Sequence, residues 1–374
     1  METAGLGRTG IPVTPLGYGA MELRVPKNHE NAEEILNTVL DSGIRYIDTS
    51  PDYGMSEELI GRYIGHRRKE YSLATKCACN LSGEGPAHIF TRSQFEKNLH
   101  ESMRRLKTEH LELLQIHCVT PADLPGRQND DAVRYLEELK KTGVVDAIGI
   151  SFKNGSLGQE MYPTKHQEAY TMEMMSWGVF DTVQMVWGPL TRVSEKEIGI
   201  LSAEGYGIIA RGVLKKYFPE DERRLERARL FELCEEGETV PELLLRYALS
   251  NPHVSVRIVG SADPQHIRQN ALAAEKGKLP ENMLKEIDRR LSPDQEKGRD
   301  QTVKTVLNVE GMMCHNCERH VNEAIAKAFE VESVESDCRT NTTVVVSKAP
   351  LDKEKLSKVI ADADYELKGI TEES

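Results

Sequence analysis

Eight short apolar runs, each followed by a stretch of helical character, fill the first ~290 residues and limit what the chain can fold into. The runs are Leu16–Ala20, Arg45–Thr49, Tyr71–Lys76, Leu111–His117, Asp146–Ser151, Thr182–Val186, Gly207–Arg211 and Val256–Gly260. They are rich in β-branched residues, as expected of strands buried on both faces. Between them, Asn31–Ser42 sets Ile35, Leu36, Val39 and Leu40 on one helical face, and Ser93–Leu106 does the same with Phe95, Leu99, Met103 and Leu106. Asp131–Lys141 and Glu242–Ala248 have similar spacing, and Gly43, Gly143 and Gly205 fall where helices should stop. A strand-then-helix repeat of roughly 34 residues predicts a (β/α)8 TIM barrel. An open doubly wound sheet is the other architecture this order allows. The G-x-G-x-x-G turn that a dinucleotide site there uses does not follow the first strand. The first ~15 residues, with Gly10 and Pro12 between extended pieces, predict a hairpin ahead of the barrel.

The rhythm changes after residue 292. Residues 293–301 are polar, include Pro293 and Gly298, and read as a linker. Beyond it the predicted order is strand Val303–Val309, helix Cys317–Phe329, strands Val331–Asp337 and Thr342–Ser347, helix Asp352–Asp362 and strand Tyr365–Ile370. That βαββαβ order predicts a small α+β ferredoxin-like sandwich over residues 302–374, behind a barrel over residues 1–292.

The balance of 48 basic against 60 acidic residues gives a net charge of −12, which argues against nucleic acid or an anionic membrane as a partner. No apolar run approaches the ~18–20 residues of a membrane-spanning helix. The opening METAGLGRTG has no basic stretch leading into an apolar run. The 7 cysteines are therefore expected to be thiols in the cytoplasm.

In a barrel of this kind the chemistry sits at the C-terminal ends of the strands. The second strand closes on Asp48 with Tyr53 in the loop beyond, the third on Lys76 and the fourth on His117. Singly, each has an ordinary reading as a cap, a solvated strand end, a loop anchor or a core histidine. Together they form an acid/base group. An ammonium beside a phenol favours its ionised form, a carboxylate keeps that ammonium charged, and a histidine orients a polarised oxygen. Cys77, Cys79 and Cys118 fall near the same mouth, either as small apolar fillers or as thiols open to soft metals and oxidants.

The segments IDTSPDYGMSEELIGRYIG, LATK and LLQIH resemble the aldo-keto reductases. So do the opening LGRTGIPVTPLGYGAM and the late LLLRYALSNPHVSVRIVGSADPQHIRQNALAA, so the resemblance covers about residues 4–292. It implies catalytic Asp48, Tyr53, Lys76 and His117 and an NADP(H) cofactor, with NAD(H) as the other candidate. It further implies that Ser151 and Gln184 hold the carboxamide end. Gly260, Ser261, His266 and Asn270 are implied at the adenosine ribose and its phosphate, and Gly19, Met21 and Arg211 elsewhere along the cofactor. Two departures stand out: Phe152 where the family often has Asn, and His266 where many NADPH-dependent members have Arg. The implied substrate is a small carbonyl compound or alcohol.

In the small domain, Gly311-Met312-Met313-Cys314-His315-Asn316-Cys317 runs from a strand into a helix. Two sulfurs at a helix start have lowered thiol pKa and suit Cu(I), with Zn(II) or Cd(II) also able to bind. A thioredoxin-like dithiol is the competing reading, and the βαββαβ order argues against it. TVLNVEGMMCHNCERHVNEAI resembles the heavy-metal-associated domain of copper chaperones and metal-transporting ATPases. That resemblance covers residues 302–370 and implies Cys314 and Cys317 as ligands, Met312 packed under the loop, Tyr365 beside it, and a protein that donates or accepts the metal. Glu330 stands where that family often has Gly, His315 reads as an exposed loop residue, and Cys338 is expected at a distant strand end. The chain thus reads as a carbonyl reductase fused to a soft-metal module. The alternative is a metal-trafficking or metal-sensing protein whose barrel mainly binds a cofactor or partner.

Overall fold

The computed structural model describes residues 1–119, 131–152, 165–192, 194–216, 221–292, 303–347 and 350–373. The chain divides into two compact units, Met1–Ile287 and Asp288–Ser374. The predicted linker at 293–301 lies outside the described residues.

The first unit begins with the hairpin β1 (Ala4–Gly5) and β2 (Pro12–Val13), paired antiparallel. Eight parallel strands follow: β3 (Leu16–Gly19), β4 (Tyr46–Asp48), β5 (Ser72–Cys77), β6 (Leu111–Val119), β7 (Val145–Phe152), β8 (Thr182–Val186), β9 (Gly207–Arg211) and β10 (Val256–Val259). They close into a barrel in chain order, with β10 pairing back onto β3. The predicted barrel is therefore the observed one, and each strand lies within a few residues of its apolar run.

The helices between strands bury the faces that their spacing marked. In α1 (Ala32–Asp41) these are Ile35, Leu36, Val39 and Leu40, and in α3 (Arg92–Leu106), which follows α2 (Ser56–Tyr63), they include Phe95, Leu99 and Leu106. In α4 (Asp131–Thr142), Ala132, Val133, Tyr135, Leu136 and Leu139 face inward. Gly43, Gly143 and Gly205 all have positive φ, of 78, 73 and 86°, the left-handed turn that ends a helix. The circuit continues through α5 (Lys165–Ser176), α6 (Glu195–Ala203), α7 (Asp221–Ala228), α8 (Val240–Ser250), α9 (Pro264–Glu275) and α10 (Glu281–Leu291). α8 starts earlier than its apolar spacing predicts because Thr239 and Glu242 form a reciprocal capping box with Pro241 just inside it.

The hairpin seals the barrel floor. Leu6, Ile11 and Val13 pack with the inward residues Tyr46, Ala74, Leu113, Ala147, Ile209, Val256 and Ile258. A Cβ at Gly207 would stand 2.8 Å from Leu6 Cγ, so the absence of a side chain there lets the hairpin enter. With the N-terminal end filled, the chemistry is left to the C-terminal end.

The second unit contains β11 (Val303–Glu310), α11 (His315–Ala328), β12 (Val331–Asp337), β13 (Thr342–Ser347), α12 (Lys353–Asp362) and β14 (Glu366–Glu373). Its antiparallel sheet has the order β12-β13-β11-β14, the βαββαβ sandwich that was predicted. Leu307, Val309, Met312, Val321, Ile325, Val345, Leu356 and Ile360 form its core. Among the described residues no helix is long and apolar enough to cross a membrane.

Candidate active site and metal loop

Asp48 ends β4, and its carboxylate is the hub of the barrel mouth. Lys76 Nζ, fully buried on β5, donates to Asp48 Oδ1 at 2.6 Å and to the Thr49 carbonyl at 2.8 Å. Gln115 of β6 and Gln184 of β8 both donate through Nε2 to Asp48 Oδ2, at 3.0 and 2.7 Å. Ser151 of β7 donates to Gln184 Oε1 at 2.9 Å. One carboxylate thus ties together side chains from five consecutive strands. Gln115 lies within the LLQIH segment but was not singled out from the sequence, since a Gln inside an apolar strand does not show which residue it will face.

Tyr53 stands over this network. Lys76 Nζ is 5.0 Å from the centre of its ring, and the His117 ring meets it edge-on at 6.2 Å between centroids. Burial raises the Tyr53 phenol above its ordinary pKa, and the opposing pull of the Lys76 ammonium is the smaller effect. The net shift is therefore opposite to the one that an ammonium beside a phenol predicts by itself. Burial works against the charge on Lys76 too, but Asp48, with Tyr53 and Asp52 adding to it, more than offsets burial and holds the ammonium well above the usual lysine range. His117 is driven well below its ordinary value, by burial first and then by Lys76, and is neutral at pH 7.

A cavity of about 400 Å³ opens above these groups. Gly19, Met21, Asp48, Tyr53, Gln184, Arg211 and Gly260 line it, together with Glu22, Gly212–Lys215, Ile258 and Val259. Gly19, Arg211 and Gly260 reach it from the ends of β3, β9 and β10. Ser261, His266 and Asn270 are not among its lining residues. Ser261 accepts from the Tyr18 hydroxyl through its carbonyl, and its Oγ accepts from the Asp263 amide. His266 is exposed on α9, 3.8 Å from the Asp263 carboxylate. Arg268 turns away toward Thr38 and Glu34 of α1. Trp187 is buried in the core.

The ends of β5 and β6 are irregular. Ala78 and Cys118 both have positive φ, of 76 and 54°, uncommon for residues with a side chain. The β6–β7 register shifts between His117 and Val119, so Cys118 is the extra residue of a bulge. Beyond β5 the loop folds back, pairing Cys79 with His88 in an isolated antiparallel bridge.

In the second unit Cys314 caps α11 and Cys317 lies in its first turn, with the two sulfurs 3.8 Å apart. Both are free thiols, Cys314 exposed and Cys317 half-buried. Hydrogen bonding from the Met313 backbone, then from the Tyr365 hydroxyl and Cys314, lowers the Cys317 thiol to about 7. Met312 is buried beneath the loop, whereas Met313 is 87% exposed. His315 extends into solvent and pairs with Glu318. Cys338, expected at a distant strand end, follows β12 and donates its amide to that same Glu318.

Comparison with known proteins agrees with this layout. Residues 15–291 match the aldo/keto reductase family, and residues 306–366 match the heavy-metal-associated domain. An uncharacterized oxidoreductase of Bacillus subtilis is 28% identical over 314 residues, covering 79% of this chain and 98% of that protein. L-galactose dehydrogenase of Arabidopsis thaliana is 25% identical over 315 residues, covering 78% of this chain and 95% of that protein. The solved holo form of an aldo-keto reductase from Bacillus halodurans has a TM-score of 0.66 at 24% identity, covering 78% of this chain and 96% of that one. At that identity the likeness establishes the fold.

Proposed function

The chain belongs to the aldo/keto reductase family and is an oxidoreductase whose barrel is followed in sequence by a heavy-metal-associated domain. From that premise we propose that it is a cytoplasmic NAD(P)H-dependent reductase of small aldehydes or ketones, with Tyr53 as proton donor, joined to a soft-metal-binding module. The observation that carries this reading is the fully buried Lys76, paired with Asp48 and 5.0 Å from the Tyr53 ring centre.

The cavity's chemistry fits a nicotinamide cofactor. Val213, Leu214, Ile258 and Val259 offer apolar surface to a flat ring, and Arg211 and Lys215 carry charge opposite to a diphosphate. Gln184 and Ser151 would hold the carboxamide, Gly19, Met21 and Gly260 would lie along the cofactor, and Ser261, His266 and Asn270 would meet its adenosine end. The reading favours NADP(H), with NAD(H) usable, because His266 is a weaker phosphate partner than an arginine. When bound, such a cofactor supplies the hydride for the carbonyl carbon.

The protein's own residues handle the proton. Tyr53 O–H donates to the carbonyl oxygen, and the Lys76 ammonium stabilises the phenolate left behind. Asp48 keeps Lys76 charged and in place. Neutral His117 can offer a ring N–H to the same oxygen. Water returns the proton to Tyr53. In the second unit Cys314 and Cys317 would hold Cu(I) or another soft ion, and their 3.8 Å separation matches two sulfurs at about 2.3 Å from one centre. Cofactor oxidation by wild type and Tyr53→Phe across a panel of aldehydes tests the reading. If it holds, turnover depends on the hydroxyl. A metal-trafficking protein with an inert barrel shows no turnover in either form.

A further inference from the structure

Four ligand-type atoms converge beside Tyr53, and the proton chemistry above uses only one of the residues that carry them. Asp52 Oδ2, Cys79 Sγ, His88 Nε2 and His117 Nδ1 all lie within 4.8 Å of one another. His117 Nδ1 is 3.4 Å from Cys79 Sγ, 3.3 Å from His88 Nε2 and 3.4 Å from Asp52 Oδ2, and His88 Nε2 is 4.0 Å from that carboxylate. Ser50 Oγ adds a fourth polar atom at 3.5 Å from the same ring nitrogen. A ring nitrogen makes one in-plane hydrogen bond, so hydrogen bonding alone cannot satisfy this convergence.

A tetrahedral metal ion satisfies it. Zinc bonds of about 2.0–2.1 Å to nitrogen or oxygen and 2.3 Å to sulfur set ligand atoms roughly 3.3–3.6 Å apart. Three of the four distances fall in that range, and small movement of the half-exposed Asp52 carboxylate closes the fourth. The fold builds the set from separate pieces. Asp52 comes from the loop after β4, Cys79 from the strained turn at Ala78, His88 from the strand-like return of the β5 loop, and His117 from the residue before the Cys118 bulge. Cys77, by contrast, points its thiol at the Gln115 carbonyl and stays outside the cluster. One thiolate, two imidazoles and a carboxylate make a borderline donor set that suits Zn(II), unlike the dithiol of Cys314 and Cys317. Burial keeps His117 neutral, the form a metal requires. Burial also keeps the Cys79 thiol protonated, so the ion must displace that proton.

We propose that Asp52, Cys79, His88 and His117 form a zinc site at the mouth of the barrel, and that Zn²⁺ there switches the reductase off by occupying His117. On binding, a Zn–S bond forms as the S–H bond of Cys79 breaks. The proton leaves to solvent, the other three ligands donate lone pairs, and nothing is oxidised or reduced. The ion fixes the His117 ring, and the exchange of the Cys79 proton for Zn²⁺ leaves the site beside Tyr53 more positive by one charge. The switch rests on the reductase reading, whereas the site does not.

The test uses the full chain carrying Cys314→Ser and Cys317→Ser, which silences the other thiol pair. After equilibration with ZnCl₂ and removal of free ion, this protein should retain one zinc per chain. The same protein with Cys79→Ala should retain none. With His88→Gln, which changes a half-buried side chain, it should bind at least about tenfold more weakly, since even an outer partner's loss costs that much. Zinc should abolish aldehyde reduction at one equivalent, a chelator should restore it, and the Cys79→Ala protein should reduce aldehydes with or without zinc. No retained zinc, or zinc unaffected by both substitutions, overturns the site. One bound zinc with unchanged turnover overturns the switch. Absence of turnover in zinc-free wild type overturns the reductase reading and the switch with it, while the zinc count still decides the site.

Discussion

Lys76 Nζ lies 2.6 Å from Asp48 Oδ1 at a point where the lysine has no exposed surface at all. An ammonium so placed is stable only with its counter-charge, so the pair commits the barrel mouth to a fixed positive charge under Tyr53. Asp48→Asn should therefore destabilise the barrel by about 3–5 kcal/mol in denaturant unfolding, because it strands that charge. Adding Lys76→Met should recover much of the stability and none of the activity. The folded pKa of Lys76 is raised, so the pair's contribution is fully present below the ordinary lysine value and is lost only as pH rises through the folded value.

The pH profile of reduction follows from Tyr53. Its phenol is held above the ordinary value, and the protonated form is the donor. Reduction should stay level through neutral and mildly alkaline pH and fall only in strong alkali. Lys76→Met removes a charge that pulls the phenol down, so any residual activity should show its alkaline limb at still higher pH. A limb that moves toward neutrality contradicts the electrostatic argument.

Much of this was legible in the sequence, for identifiable reasons. Thr182–Val186, Gly207–Arg211 and Thr342–Ser347 are strands with the bounds their β-branched runs suggest. Asp48, Lys76 and His117 stood out because barrel chemistry gathers at strand ends. α11 begins at His315 rather than Cys317 because Cys314 takes the cap position, a choice of backbone that spacing does not dictate. The Cys79–His88 pairing was hidden because it depends on how one loop folds back on itself. Gln115 was hidden because only the closed barrel turns it toward Asp48. The net direction of the Tyr53 shift needed burial, which no motif encodes.

Cofactor preference should respond to one side chain. His266 is exposed beside Asp263, whose carboxylate opposes a 2′-phosphate. His266→Arg should raise the ratio of kcat/KM with NADPH over NADH by about tenfold, through a permanent charge able to pair bidentately. An unchanged ratio places the phosphate elsewhere.

The second unit should act through its two loop sulfurs alone. Wild-type chain should bind Cu(I) tightly with a stoichiometry that falls by one in the Cys314→Ser/Cys317→Ser protein, while His315→Ala leaves it unchanged, because His315 faces solvent and pairs with Glu318. Equal copper binding by wild type and the double-serine protein contradicts the ligand assignment.

The most direct test of the whole account is the turnover number of Tyr53→Phe measured beside its affinity for NADPH. The substitution keeps the ring over Lys76 and removes only the hydroxyl. The account predicts a loss of about 10²–10⁴-fold in aldehyde reduction with cofactor binding nearly unchanged. Wild-type turnover in that protein contradicts it.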